Sequence, residues 1–145
     1  MFKRALVPID GSTLSTKASR AAIKLAAEVG ARLVAFHAVP TFRTFSYEVP
    51  MLADTARSYR AACVVRARKL LGDVAAEARR AEVTCDEVHV YSDQPYLAIL
   101  REAKRKRCDL ILMASHGRKG LRSLLLGSET QKVLTHGDVP VLVYR

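Results

Sequence analysis

Two stretches carry residues whose types and spacing could do chemistry. The first is Val7-Pro8-Ile9-Asp10-Gly11-Ser12, where a carboxylate directly follows an apolar run. A carboxylate there can accept two hydroxyl hydrogen bonds, as a ribose diol offers. It can equally cap the turn into a following helix. The second stretch runs from Met113 to Ser128. In it Gly117 and Gly127 are separated by nine residues, and Ser128 follows. Glycine permits positive φ and close backbone approach, which a loop wrapped around a phosphate needs. The Ser128 hydroxyl can donate to a phosphate oxygen. Ser128-Glu129-Thr130-Gln131 also fits a capping box, with Ser128 as N-cap and Gln131 at the third helical position. Both roles place Ser128 at a helix's positive end. Arg118, Lys119 and Arg122 add positive charge, either against phosphates or toward solvent.

Other chemistry is excluded by pattern. His116 beside Ser115 is no catalytic dyad on spacing alone, because loop neighbours usually point apart and no third residue orients them. The chain has neither a Gly-x-x-x-x-Gly-Lys-Ser/Thr loop nor a Gly-x-Gly-x-x-Gly fingerprint. No His, Cys and carboxylate cluster has metal-ligand spacing. Without a base to activate water or dedicated metal carboxylates, any nucleotide hydrolysis is expected to be slow, and the chain does not read as an enzyme.

The elements that must position these residues alternate. Residues 3–9, 32–39, 84–91, 109–113 and 139–144 read as strands. Residues 15–29, 52–80, 95–106 and about 129–135 read as helices. In the first helix Ala18, Ala21, Ala22, Leu25, Ala26 and Val29 make one apolar face, and Gly30 stops it. In the second, Val64, Ala67, Leu70, Leu71, Val74 and Ala78 face inward. Pro95 suits the first turn of the third. Residues 40–50, with Phe42, Phe45 and Tyr47, form a loop that is either a flap, a partner surface or a fold over the core. The alternation predicts one α/β domain over residues 1–145, a five-stranded parallel, open and twisted sheet with helices on both faces. Ligands then bind beyond the strand C-terminal ends, where the strand order reverses.

Composition sets further bounds. The 145 residues are 50% hydrophobic, enough for a real core. No apolar run approaches the roughly 20 residues that span a bilayer. The chain enters a strand at once, without the layout of a signal peptide. Three cysteines, Cys63, Cys85 and Cys108, fit neither a disulfide framework nor a zinc site, so a cytoplasmic location is expected. The net charge is +10. Its densest run, residues 101–107, falls where a helix ends and cations suit the dipole. No aromatics interleave with it to stack bases, so the charge points away from nucleic acid.

Taken together, these motifs resemble the universal stress protein family over nearly the whole chain. The residues that carry the resemblance are Val7 to Ser12, Phe36-His37-Ala38-Val39, Ala98-Ile99-Leu100, Asp109 to Arg118, Leu125-Leu126-Gly127-Ser128 and Val139-Pro140-Val141-Leu142-Val143. The resemblance implies a Rossmann-like fold of the adenine-nucleotide alpha hydrolase type. It also implies ATP, with Mg2+, as ligand and a role as a nucleotide-dependent regulator in stress response. ATP-binding members carry Gly-x2-Gly-x9-Gly-Ser/Thr; here Ala114 replaces the first glycine. By resemblance Asp10 would hold ribose, with Pro8 beside it. Ala38 would offer backbone groups to adenine next to Val39, and Met113 would line the base or sugar. Ala114 retains the N–H that approaches the ribose, although its methyl could crowd the sugar. Gly117, Arg118, Gly127, Ser128 and Glu129 would wrap the phosphates, with the Glu129 carboxylate competing unless it points away or meets a cation. The resemblance also places the strand Val139-Pro140-Val141-Leu142-Val143-Tyr144 at a sheet edge, whose free backbone groups and aliphatic side chains predict pairing with a second copy as a homodimer. The alternative is a nucleotide-free dimeric interaction module, which Ala114 and Glu129 would favour.

Overall fold

The computed structural model describes residues 1–41, 53–117 and 126–145, with side chains from residue 55 in the second helix. The loop aromatics Phe42, Phe45 and Tyr47, the expected helix start at residue 52, and Arg118, Lys119, Arg122 and Leu125 lie outside the described residues. Among the described residues nine elements alternate: β1 (Arg4–Pro8), α1 (Thr13–Val29), β2 (Arg32–Val39), α2 (Ala53–Arg80), β3 (Cys85–Tyr91), α3 (Pro95–Arg105), β4 (Leu110–Ala114), α4 (Ser128–His136) and β5 (Val141–Tyr144). All strand pairs are parallel, in the order β3-β2-β1-β4-β5. This is the expected α/β sheet, with β5 at an edge.

The central strands show why it forms. All five residues of β4 are buried, as are the middle three of β1. A strand covered on both faces reads as a continuous apolar run rather than an alternation. Side chains still alternate between faces. Val7, Ala35 and Leu112 pack under α1 and α2 with Ala22, Leu71 and Ala78. Leu6, Phe36 and Ile111 pack on the other face with Ile99, Ala103 and Val133 of α3 and α4.

The buried face of α1 differs from the expected one. Ala18, Ala22 and Ala26 are buried, but Ser15, Ser19 and Ile23 complete the face. Ala21, Leu25 and Val29 are only partly buried. The serines enter the core because their hydroxyls donate along the helix, Ser15 Oγ to the Ser12 carbonyl (3.0 Å) and Ser19 Oγ to the Thr16 carbonyl (2.8 Å).

The ends of α1, α2 and α3 follow one scheme. Gly30 closes α1 in the left-handed region at φ 70°, and the Ala31 N–H reaches back to the Ala26 carbonyl at 2.9 Å. Glu82 and Arg107 take the equivalent place after α2 and α3 at φ 58° and 53°. The Arg107 N–H reaches Lys104, and that of Cys108 reaches Ala103. The basic run does lie at the end of α3. Arg105 pairs with the buried Glu102, and Lys106 sits 3.7 Å from Asp86.

β5 is shorter than expected, starting at Val141 rather than residue 139. Pro140 has no N–H to give the ladder, although its carbonyl accepts from Ile111 at 2.9 Å. At the other end of β4, Asp109 accepts the N–H groups of Lys3 and Arg4. Partial burial pushes its carboxyl up, but these backbone donors outweigh it and hold the carboxyl below its ordinary value. Cys108 is buried, and burial raises its thiol to about 11, so it stays protonated and inert near neutrality. Among the described residues no helix is long and apolar enough to cross a membrane.

Candidate functional site

The strand order reverses between β1 and β4. From β1 the chain moves outward through β2 to β3, then returns through α3 to β4 on the other side of β1. The crevice beyond these two C-terminal ends is where such sheets take ligands. Two loops meet there.

The first leaves β1 after Pro8. The Ile9 N–H still reaches the Phe36 carbonyl at 2.7 Å. Asp10 then turns the chain, its Oδ1 accepting the Ser12 N–H at 2.9 Å. Gly11 takes φ 82°, and Ser12 caps α1 by accepting the Ser15 N–H at 3.1 Å. Asp10 therefore shapes the turn, while the cap belongs to Ser12.

The second loop leaves β4 after Ala114. Its two ends are tied together at Ser115. The Ser115 N–H donates to Tyr144 of β5 at 2.7 Å, and its carbonyl accepts the Gly127 N–H at 2.8 Å. A Cβ on Gly127 would lie 3.0 Å from the His116 Cα, so that backbone would have to give way for any side chain there. A Cβ on Gly117 would run into the Asp10 carboxylate. Asp10 and Gly117, 107 positions apart in sequence, thus touch across the reversal point.

α4 begins one residue earlier than expected, and this corrects the role given to Ser128. Gly127 is the N-cap, at φ −60° and ψ 150°, and its carbonyl accepts the Gln131 N–H at 3.0 Å. With the Gly127 N–H held by Ser115, Ser128 becomes the first helical residue and makes no cap. Gln131 falls fourth, so no capping box forms. The N–H groups of Ser128, Glu129 and Thr130 precede the first helical bond and have no partner within the helix. They lie at the positive end of its dipole.

The Glu129 side chain points away from this end. Its Oε2 accepts the Tyr96 N–H at 2.9 Å, and its Oε1 meets Lys132 at 3.0 Å. It thereby supplies a cap that α3 lacks, since Gln94 gives no side-chain bond there. Thr130 is buried, and its hydroxyl donates to the Ala114 carbonyl at 3.0 Å.

The remaining predicted residues sort into rim and core. Pro8 is half-buried at the end of β1. Ala38 shares the phase of Phe36, whose carbonyl takes the Ile9 N–H, so it turns its backbone toward the crevice past the end of β1. Val39 is buried, and its carbonyl is taken by the Ser92 N–H at 2.9 Å. Met113 is buried in the layer under α3 and α4. The Ala114 methyl belongs to the core under α1 and α2.

Three interactions escaped the sequence reading. His37 Nδ1 lies 2.6 Å from the Ile9 carbonyl and must carry the proton to make that bond. Thr130 looked like an ordinary helix residue. Ser115 and His116, expected to diverge, have Oγ and Nδ1 at 3.1 Å. The serine is buried, and among the described residues no third side chain is shown orienting this pair.

The profile of the universal stress protein family matches residues 1–145. The chain belongs to this family. A relative from Bacillus subtilis, universal stress protein YxiE, is 33% identical over 149 residues, covering 100% of both chains. Universal stress protein UspA from Lactobacillus plantarum shares the fold with a TM-score of 0.85 at 23% identity, over 99% of this chain and 97% of that one. A universal stress protein solved in complex with cAMP superposes with a TM-score of 0.73 at 25% identity, again over 99% and 97%. Family members from Arabidopsis thaliana and Archaeoglobus fulgidus, solved with AMP and dAMP, share the fold at 17% and 16% identity, with TM-scores of 0.71 and 0.69.

Proposed function

We propose that this universal stress protein binds ATP, with Mg2+, in the crevice between β1 and β4 and acts in the cytoplasm as a nucleotide-dependent regulator of stress response. The observation that carries this reading is the contact between Asp10 and Gly117 beside the first turn of α4. It brings a carboxylate suited to a ribose diol next to a helix start suited to phosphates. Ser128 is at the first helical position, so its hydroxyl is not spent on a cap. Glu129 faces α3, so its carboxylate does not compete with the phosphates. Ala114 keeps its N–H while its methyl packs in the core, which weakens the case for a nucleotide-free module. Family members solved with cAMP, AMP and dAMP support an adenine nucleotide as the ligand class. The chain's own residues would bind and orient, and among the described residues no base stands out to activate water, so turnover would be slow.

Calorimetry with Mg-ATP, alongside mass identification of small molecules released on denaturation, tests the reading. ATP at about 100 times its Kd should add roughly 2.7 kcal/mol of stability. No heat and an unchanged melting temperature at saturating ATP would sink it.

The same reading includes a homodimer through β5. Carbonyls of Pro140 and Tyr144 accept from β4, so by alternation Val141 and Val143 turn their N–H and C=O groups outward. Leu142 is exposed on this edge. Prolines at both Val141 and Val143 would remove outward N–H groups without touching the β4 ladder. Light scattering should give a dimer mass for the parent and a monomer mass for that variant.

A further inference from the structure

The first turn of α4 is held by two side chains that face away from the crevice. Thr130 Oγ1 donates to the carbonyl of Ala114, the last residue of β4, and the threonine is 3% exposed. The Glu129 carboxylate accepts the N–H of Tyr96 in the first turn of α3. One tether fixes the helix start to the sheet, the other to the neighbouring helix. Between them they set where the N–H groups of Ser128, Glu129 and Thr130 aim.

We propose that Thr130 and Glu129 are positioning residues that aim the start of α4 at the ligand's phosphate groups, acting through Ala114 and Tyr96 without their side chains touching the ligand. The inference rests on the nucleotide-binding reading above. A backbone donor is useful to a phosphate only when held at hydrogen-bond distance and angle, so its supports matter as much as the donor. Gly127 cannot supply that support with a side chain. Its N–H bond to Ser115 fixes the chain's entry into the helix but not the helix's direction. The second tether also carries a sign that simple charge does not. A carboxylate near a phosphate should hinder binding, so deleting it should help. If Glu129 is a tether, deleting it should hurt.

The test is titration of ATP and, separately, adenosine into the parent, Thr130→Val, Thr130→Ser, Glu129→Ala and Glu129→Gln, with melting temperatures recorded. Thr130→Val keeps the shape and loses the donor. Thr130→Ser restores the donor, and Glu129→Gln keeps an acceptor for Tyr96. The expected result is ATP weakened on the order of tenfold in Thr130→Val and Glu129→Ala. Adenosine affinity should be unchanged in both, and ATP affinity regained in Thr130→Ser and Glu129→Gln. Equal loss for ATP and adenosine would mark a merely structural role and overturn the proposal. So would parental ATP affinity in Thr130→Val and Glu129→Ala. If Thr130→Val does not fold, Glu129→Ala decides by the same comparison. A parent that binds no ATP overturns the nucleotide-binding reading itself, and this inference with it.

Discussion

Two helices start at the same crevice, and their first turns are built in opposite ways. α1 is closed by its own sequence. Ser12 accepts the Ser15 N–H, Asp10 accepts that of Ser12, and the hydroxyls of Ser15 and Thr16 fold back onto the Ser12 carbonyl. α4 begins at a glycine that has no side chain to offer. Its supporting side chains, Glu129 and Thr130, reach backward to α3 and β4 instead. A helix that must stand alone spends its polar side chains on its own N–H groups. A helix that must serve a ligand keeps them away and borrows rigidity from neighbours. On the proposed nucleotide-binding reading, the contrast makes α1 the scaffold of the crevice and α4 its working end.

The largest test of this contrast is Gly117→Val. The new side chain would collide with the Asp10 carboxylate and displace it from its place beside Gly117. ATP affinity should fall by about a hundredfold or more, close to 3 kcal/mol, as read by calorimetry. Retained affinity with an intact fold would show that the meeting of Asp10 and Gly117 does not matter for binding.

Next in size is a paired exchange at the two helix starts. Ser12→Ala removes a real cap and should cost about 1 kcal/mol, lowering Tm by roughly 2–4 °C for a chain of this size. Ser128→Ala removes no cap, so stability should stay within about 0.5 kcal/mol of the parent, while ATP binding weakens. If Ser128→Ala loses stability as Ser12→Ala does, the two starts are alike and the comparison fails.

The smallest effect is a control at the far end of β4. Asp109 is held below its ordinary 3.8 by the backbone donors of Lys3 and Arg4, against the upward push of burial. A carboxyl lowered on folding contributes stability that is present above the unfolded value and lost as pH falls through the folded one. Acid unfolding of the parent should therefore include a loss below about pH 4 that Asp109→Asn lacks, with ATP affinity at neutral pH unchanged in the variant. A change in affinity would mean that the two ends of β4 are not independent.

Much of this was legible from residue order. The five strands, the stop at Gly30 and the start at Pro95 followed from apolar runs, glycine and proline, whose effects are local, whereas the edge position of β5 came from the family resemblance. The two glycines at Gly117 and Gly127 were legible as close approaches, though not what they approach. That Gly117 makes room for Asp10 depends on β1 and β4 lying side by side, which no local pattern encodes. Ser128 was misread because a Ser-x-x-Gln spacing fits a cap wherever it occurs. What moved the helix start was the Gly127 N–H bond to Ser115, made by the fold. Glu129 and Tyr96 lie 33 positions apart, and their bond joins two helices that sequence could place only on the sheet's faces. Ser15 and Ser19 entered the core of α1 because hydroxyls that bond along their own helix behave as small apolar groups.

The bond from the Gly127 N–H to the Ser115 carbonyl closes the intervening chain into a loop with fixed ends. Such a closed segment can be exchanged as a cassette. The clasp at Ser115 fixes where the chain re-enters before α4, whatever residues lie between. Chimaeras that swap the residues between positions 117 and 127 for those of a relative should therefore fold as the parent does, while taking on the donor's ligand preference.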